Sequence, residues 1–221
     1  MTNFETIKNN IEKLRTEMKN YPHARLCAVI KNRAPEEISY AINSCGVTLV
    51  GENRVQEFLE HEPYLSGAEV HFIGTLQKNK VKYLVGKVAM IESVDSVALA
   101  EEIDKRSAKA GVVTDVLCEV NTGREPQKGG FMPEELTQAL EKISGFENLR
   151  LRGLMAVAPV TDISEEKRGY FALMKKLRDE NIRFFGEEPI LSMGMSGSYR
   201  EALAEGADII RTGTAIFGPR Q

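Results

Sequence analysis

Eight short apolar runs of β character recur along the whole chain, and helix-period stretches separate them. The runs are RLCAVIK (25–31), TLVGEN (48–53), VHFIG (70–74), VAMIESV (88–94), DVLCEVN (115–121), LRGLMAV (151–157), ILSMGM (190–195) and DIIRTGTAIFG (208–218). The helical stretches are 35–45, 53–60, 76–83, 97–110, 133–144, 164–180 and 198–205, with a polar amphipathic helix at 4–19 ahead of the first strand. Apolar strands alternating with helices make a parallel sheet covered on both faces by its crossovers. Eight of them predict an α/β chain folded as a single (β/α)8 TIM barrel, with the extra N-terminal helix as an added layer or plug. The competing architecture, an open doubly wound sheet, wants a glycine-rich turn after its first strand. KNRAPEE stands there instead. No linker or low-complexity tract interrupts the alternation, so residues 1–221 are read as one domain. Pro133 with Glu134 and Glu135 is expected to open one helix, and Asp162 or Ser164 to cap another.

Composition acts mainly by exclusion. Charged residues make up 28% and the formal net charge is −3, so no basic field draws the chain to nucleic acid or anionic lipid. Aromatic residues interleaved with a basic stripe are also absent. No apolar run approaches the roughly 20 residues of a membrane span, and the first helix lacks the apolar core of a secretory signal. Cys27, Cys45 and Cys118 are odd in number and have no ligand spacing. They read as reduced thiols of a cytoplasmic protein. His23, His61 and His71 share no spacing with them, so no metal site is expected.

The active end of such a barrel is formed by the C-terminal ends of its strands. Two loops there are rich in small residues. MGMSGSYREA (193–202) turns through Ser196, Gly197 and Ser198, and RTGTAIFG (211–218) offers Gly213 and Thr214. Small residues let backbone N–H groups approach a ligand, and helix N-termini favour anions. A phosphate between the loops after strands 7 and 8 recurs in this fold. Neither loop has the spacing of a nucleotide P-loop.

Lys31 ends the first strand, where two readings compete. It is a solvated strand end, or it is a desolvated amine whose lowered pKa makes it a nucleophile. Beside a phosphate site, the second reading gains a substrate: a phosphorylated aldehyde such as pyridoxal 5′-phosphate (PLP). Arg211 is then either a structural ion pair at the mouth or a cation facing a pyridine nitrogen. An Arg there would leave that nitrogen unprotonated and the ring a weak electron sink.

AVIK at strand 1, GENRVQE (51–57), HFIGTLQKNK (71–80), SVDS (93–96), RGLMAV (152–157), LSMGMS (191–196) and RTGTAIFG (211–218) together resemble the YggS/PROSC family of PLP homeostasis proteins. That family is similar to the N-terminal barrel domain of alanine racemase. The resemblance implies that Lys31 is the Schiff-base lysine. It implies that Ser196, Gly213 and Thr214 hold the phosphate, with Gly197 in the same loop. It further implies that Arg211 lies near the pyridine nitrogen and that Asn53 lies near the cofactor. KGGF (128–131) matches the strand 5 loop, which puts Lys128 on the rim. The family usually has a hydroxyl residue on each side of its lysine, whereas Ile30 and Asn32 flank it here. Ile30 should point away from the pocket if Lys31 points in, because strand neighbours alternate.

A racemase needs two bases, one on each face of the substrate carbon. In the racemases the second is a tyrosine from a further domain. This sequence ends at Gln221, and none of its six tyrosines sits in a motif that would replace it. The expectation is therefore a PLP-binding protein, not an enzyme, that buffers the cofactor or delivers it to apo PLP-dependent enzymes, as a monomer or weak dimer. The alternatives are a fold-type III amino-acid racemase of weak or narrow activity, and an aldolase-type barrel in which Lys31 attacks a sugar phosphate.

Overall fold

The computed structural model describes residues 4–219. Its eight strands are β1 (Arg25–Val29), β2 (Leu49–Glu52), β3 (Glu69–Phe72), β4 (Met90–Val94), β5 (Thr114–Glu119), β6 (Leu149–Met155), β7 (Ile190–Ser192) and β8 (Ile209–Thr212). They pair in sequence order, all parallel, and β8 returns to β1 to close the barrel. The helices are α1 (Phe4–Met18), α2 (Pro35–Asn43), α3 (Val55–His61), α4 (Val97–Ala110), α5 (Leu136–Ile143), α6 (Ser164–Glu180), α7 (Tyr199–Ala204) and α8 (Thr214–Phe217). The (β/α)8 barrel expected from the alternation is the fold observed.

Four local expectations need correction. Residues 78–83 form a 3₁₀ helix in place of an α-helix. Its buried residue Val81 and its buried C-cap Leu84 are three apart, which suits a helix of three residues per turn. The run 208–218 is not one strand: β8 ends at Thr212, and Gly213 begins the short helix α8. Ile216 and Phe217 are buried there, so the apolar character that suggested a strand serves a helix turn. The helix expected from Pro133 starts at Leu136, after a turn. The cap of α6 comes from neither Asp162 nor Ser164. Thr161 Oγ1 accepts from the Ile163 N–H at 3.2 Å and donates to Glu166 at 2.6 Å.

Alternation along the strands divides the core in two. Outward residues such as Ala28, Val50, Phe72, Ile91, Val116 and Leu154 pack under the helices. Inward residues form two small apolar groups. Cys27, Leu49 and Ile209 make one, and Met90, Leu117 and Met155 the other, with Ile190 touching both. Two residues further along three strands the interior turns polar, at Glu92, Ser192 and Arg211, all buried.

Helix α1 places Ile7, Ile11, Leu14 and Met18 on one buried stripe, as an amphipathic helix should. It packs against α8 and α2. Asn10 Nδ2 donates to Ile216 O in α8 at 2.9 Å. Glu17 accepts from Tyr199 at 2.8 Å and from Arg200 Nε and Nη2 at 2.8 and 2.9 Å, all on α7. The added helix therefore holds the two helices that follow the loops after β7 and β8.

Gly153 sits where the β5–β6 register shifts. Its φ is +147°, and a Cβ there would lie 2.0 Å from Ile190 O on β7. Gly153→Ala should lower stability by about 3 kcal/mol, combining overpacking with backbone strain. Gly169 lies mid-helix in α6 with open space around it, so Gly169→Ala should raise stability by up to about 1 kcal/mol. Urea denaturation of both variants checks the opposite signs.

Candidate functional site

β1 stops at Val29, and a tight turn presents Lys31. The Ile30 N–H donates to Gly51 O at 3.0 Å, and the Arg33 N–H donates to Ile30 O at 3.1 Å. Asn32 has φ +55°, a left-handed conformation in which Asn is enriched among non-glycine residues. Its N–H donates to Glu57 Oε2 at 2.7 Å. Ile30 is fully buried in the shell under the helices. Val29, Lys31 and Arg33 alternate onto the mouth. The two residues that depart from the family pattern thus shape the turn: one anchors it and the other bends it.

The loop after β7 is equally fixed. At Gly194, φ is +90° and a Cβ would lie 2.5 Å from the Ala202 Cβ. The Met195 N–H donates to Ser198 Oγ at 3.1 Å, and the Ser198 N–H donates to Met195 O at 2.8 Å. Ser196 Oγ accepts from the Ala215 N–H at 3.2 Å, which ties this loop to the one after β8. A Cβ on Gly213 would lie 3.2 Å from Val29 O, so the backbone of the last loop runs close against β1. Arg33 fastens the same corner. Its Nη2 donates to Gly218 O at 2.8 Å, and its guanidinium stacks 5.2 Å above the Phe217 ring.

These segments enclose one pocket of about 240 Å³. Lys31, Ser196, Gly197, Arg211, Gly213 and Thr214 all line it, and no carboxylate does among the described residues. Cations, hydroxyls and glycines on one wall suit a phosphate ester, and Lys31 stands on the same wall to meet a carbonyl. The donor set fits PLP. Asn53, by contrast, is not among the lining residues. It follows the last residue of β2, with its N–H donating to Glu52 Oε1 at 2.8 Å and its Oδ1 buried without a hydrogen-bond partner. Lys128 lies across the mouth, paired with Glu125 and donating to Ala158 O at 3.5 Å.

Two buried carboxylates lie near the site: Glu52, which the sequence places at the end of β2, and Glu92, which the sequence reading missed. Glu52, on the outer face of β2, accepts from the first N–H groups leading into α3 and lies 3.0 Å from His61 Nδ1. Burial pushes its carboxyl up, although these hydrogen bonds oppose the shift. Glu92, inside the barrel, faces His71 Nδ1 at 2.6 Å and accepts from Ser192 Oγ at 2.5 Å. Burial would raise it too, but His71, Arg211 and Ser192 outweigh burial and leave it lowered. Arg211 donates to Ser192 Oγ at 2.6 Å and to Ala156 O at 2.8 Å, and its Nη1 lies 3.7 Å from Glu92 Oε2. Arg211 is thus ion-paired with Glu92 below and lines the pocket above. The available signal was spacing: Glu92 and Ser192 each follow an inward apolar residue, Met90 and Ile190, by two positions.

No cluster of His, Cys, Asp or Glu among the described residues could hold a metal ion. No helix among them is long and apolar enough to cross a membrane.

The family model of the alanine racemase N-terminal domain matches residues 2–221. The pyridoxal phosphate homeostasis protein of Aquifex aeolicus is 46% identical over 201 residues, covering 90% of this chain and 88% of that protein. Its namesake in Helicobacter pylori is 37% identical over 221 residues, covering 96% of each. Among solved structures, PipY of Synechococcus elongatus PCC7942 with PLP bound superposes with a TM-score of 0.86 at 33% identity, over 96% of this chain and 100% of that one. An alanine racemase of Clostridium difficile 630 shares the fold, with a TM-score of 0.76 at 17% identity over all of this chain and 57% of that one. By sequence and by fold, this chain belongs to the alanine racemase N-terminal domain family and, within it, to the pyridoxal phosphate homeostasis proteins.

Proposed function

We propose that the chain holds PLP as an imine on Lys31 and buffers or delivers it within the cytoplasm. The observation that carries this reading is one pocket in which Lys31 shares a wall with Ser196, Gly197, Gly213 and Thr214. Bound there, PLP supplies an aldehyde that condenses with amines and a ring that withdraws electrons. In this reading the loops after β7 and β8 hold the phosphate and Arg211 faces the ring nitrogen. Asn53 borders the cofactor from the end of β2, where its buried Oδ1 awaits a donor. PipY is solved with PLP, and the relatives in A. aeolicus and H. pylori carry homeostasis in their names.

The remaining parts of the reading have their own supports. Three buried free thiols suit a reducing cytoplasm. Closure of the barrel by β8 on β1, with α1 packed on α8, supports treating residues 1–221 as one domain. Recipients are apo PLP-dependent enzymes, whose lysine amines exchange with the imine. A monomer or weak dimer leaves the mouth open to them. Lys31 is a candidate base, but no tyrosine is among the lining residues to serve the opposite face, which favours carriage over racemisation.

The purified protein should show the visible absorbance band of a PLP–lysine imine, and Lys31→Ala should lose it. A band that persists in Lys31→Ala would refute the assignment of the lysine. Ser196→Ala should keep the band but bind PLP about tenfold more weakly, the worth of one hydrogen bond to a phosphate. Equilibrium dialysis against PLP measures the change.

Incubation with L- or D-alanine and chiral chromatography separates carrier from racemase. Interconversion should fall far below the roughly 1 per second of an ordinary enzyme. Turnover at that rate would establish the racemase alternative.

Glu119 ends β5 on the far side of the interior from the phosphate loops. Burial, reinforced by Asp95, pushes its carboxyl up to about 6, although Arg211 and Lys128 pull the other way. A raised carboxyl binds its proton more tightly in the folded state. The stabilisation is present below the unfolded value and is lost as pH rises through about 6, at a cost of about 2 kcal/mol. Glu119→Gln should therefore raise the melting temperature more at pH 8 than at pH 4. Equal effects at both pH values would contradict the shift.

A further inference from the structure

Arg211 is a buried cation that lines the pocket, and its hydrogen bonds go to a hydroxyl and a carbonyl while its ion pair with a carboxylate is a long one. Its nearest anion, Glu92 on β4, is 3.7 Å away, and the Ser192 hydroxyl stands between them. The donors run in one direction: Arg211 Nη1 to Ser192 Oγ at 2.6 Å, then Ser192 Oγ to Glu92 Oε2 at 2.5 Å. From the other side, His71 Nδ1 donates to Glu92 Oε1 at 2.6 Å, which places a proton on Nδ1 because a carboxylate only accepts. All four side chains are at most 3% exposed.

We propose that His71, Glu92 and Ser192 are positioning residues that set the orientation and the effective charge of Arg211 at the pocket floor. His71 and Ser192 each occupy one oxygen of Glu92, so the carboxylate has a single orientation. Ser192 and Ala156 O each take one arm of the guanidinium, so Arg211 has a single orientation as well. Compensation through an interposed hydroxyl tempers the positive potential that Arg211 projects into the pocket without cancelling it. A paired fork would bring the two charges into bidentate contact. Other charged or titratable groups facing this cluster are Cys27 from β1, whose thiol burial and Glu92 push up, and Glu119 from β5, with Asp95 and Lys128 beyond it. His71 Nε2 lies 3.9 Å from Glu69 at the opposite end of the barrel.

This inference deepens the PLP reading and rests on it for its ligand, but part of its test does not. In cofactor-free, 15N-labelled protein, the Arg211 side-chain N–H signals should be separately resolved, because both arms are held. Ser192→Ala should merge them by freeing rotation, and Ser192→Thr should restore them. Ser93→Ala, which removes a buried hydroxyl bonded to Gly74 O outside the cluster, should leave them resolved. Signals resolved equally in wild type and Ser192→Ala overturn the proposal whether or not PLP binds.

In PLP-loaded protein, Glu92→Gln keeps the shape and removes the anion. The positive potential at the ring then rises, so the protonated imine gives up its proton more readily. The pH midpoint of its visible band should fall by about one unit, the scale of a lost neighbouring charge. An unchanged midpoint in folded Glu92→Gln also overturns the proposal. If that variant does not fold, the NMR comparison decides alone. If wild type forms no band at any pH, the PLP reading fails while the NMR comparison still judges the cluster.

Discussion

The pairing of β8 with β1 is the contact on which the rest depends. In that register Cys27 lies opposite Arg211 and Ala28 opposite Thr212. Lys31 follows Cys27 by four residues, and Gly213 follows Arg211 by two. Closing the barrel therefore brings the first strand's lysine and the last strand's glycine to one corner of the mouth, although more than 180 residues separate them in sequence. An open sheet with the same strands would leave β1 and β8 on different edges. The site is thus a consequence of closure, and the devices around it protect that seam. Gly213 lets the last loop run against Val29, Arg33 grips the end of α8, and α1 ties α7 and α8 from behind.

Much of this was legible because it depends on residue type and local period. Lys31 at a strand end, small residues in the last two loops and eight alternations are properties of short segments, and six of the seven expected site residues line one pocket. What was not legible depends on register between distant strands. Glu92 meets Ser192 across 100 positions of sequence, and only the shear of a closed barrel decides that they share a layer. A glutamate within an apolar strand announces that some partner exists, since a buried charge needs one. It does not say which. Asn53 shows the converse. Its position in GENRVQE puts it at a strand end, but it does not reveal the backbone contacts made there, with the Glu52 carboxylate and with Gly74, where a Cβ would lie 2.1 Å from Asn53 O.

The local misreadings share one cause. Hydrophobic content shows that a segment is buried, while periodicity must tell strand from helix, and short runs carry too few periods to decide. Residues 213–218 include Ile216 and Phe217, which read as strand and fold as one turn of helix. That turn matters, because a strand continuing through Gly213 would have committed its N–H groups to a neighbour. In the observed turn the Ala215 N–H goes to Ser196 and the Ile216 N–H returns to Gly213. The first amides of a helix lack intrahelical acceptors, so ending β8 early frees backbone donors where the loops after β7 and β8 meet.

The mouth is electrostatically divided. The wall made by β1, β7 and β8 presents Lys31, Arg33 and Arg211 with no carboxylate. Across the interior, Glu119 is influenced by Asp95, Lys128 and Arg211, and Lys128 is paired to Glu125. In the PLP reading, such a division would draw a phosphate dianion toward the first wall and so orient an entering ligand. The covalent bond adds retention, but an imine exchanges with amines and remains reversible. A tempered Arg211 fits the same balance. An uncompensated buried cation would hold an anionic ligand more tightly, whereas one neutralised by direct contact would contribute little to orientation. Placing the compensating carboxylate one hydroxyl away gives an intermediate field, fixed by hydrogen bonds below the floor.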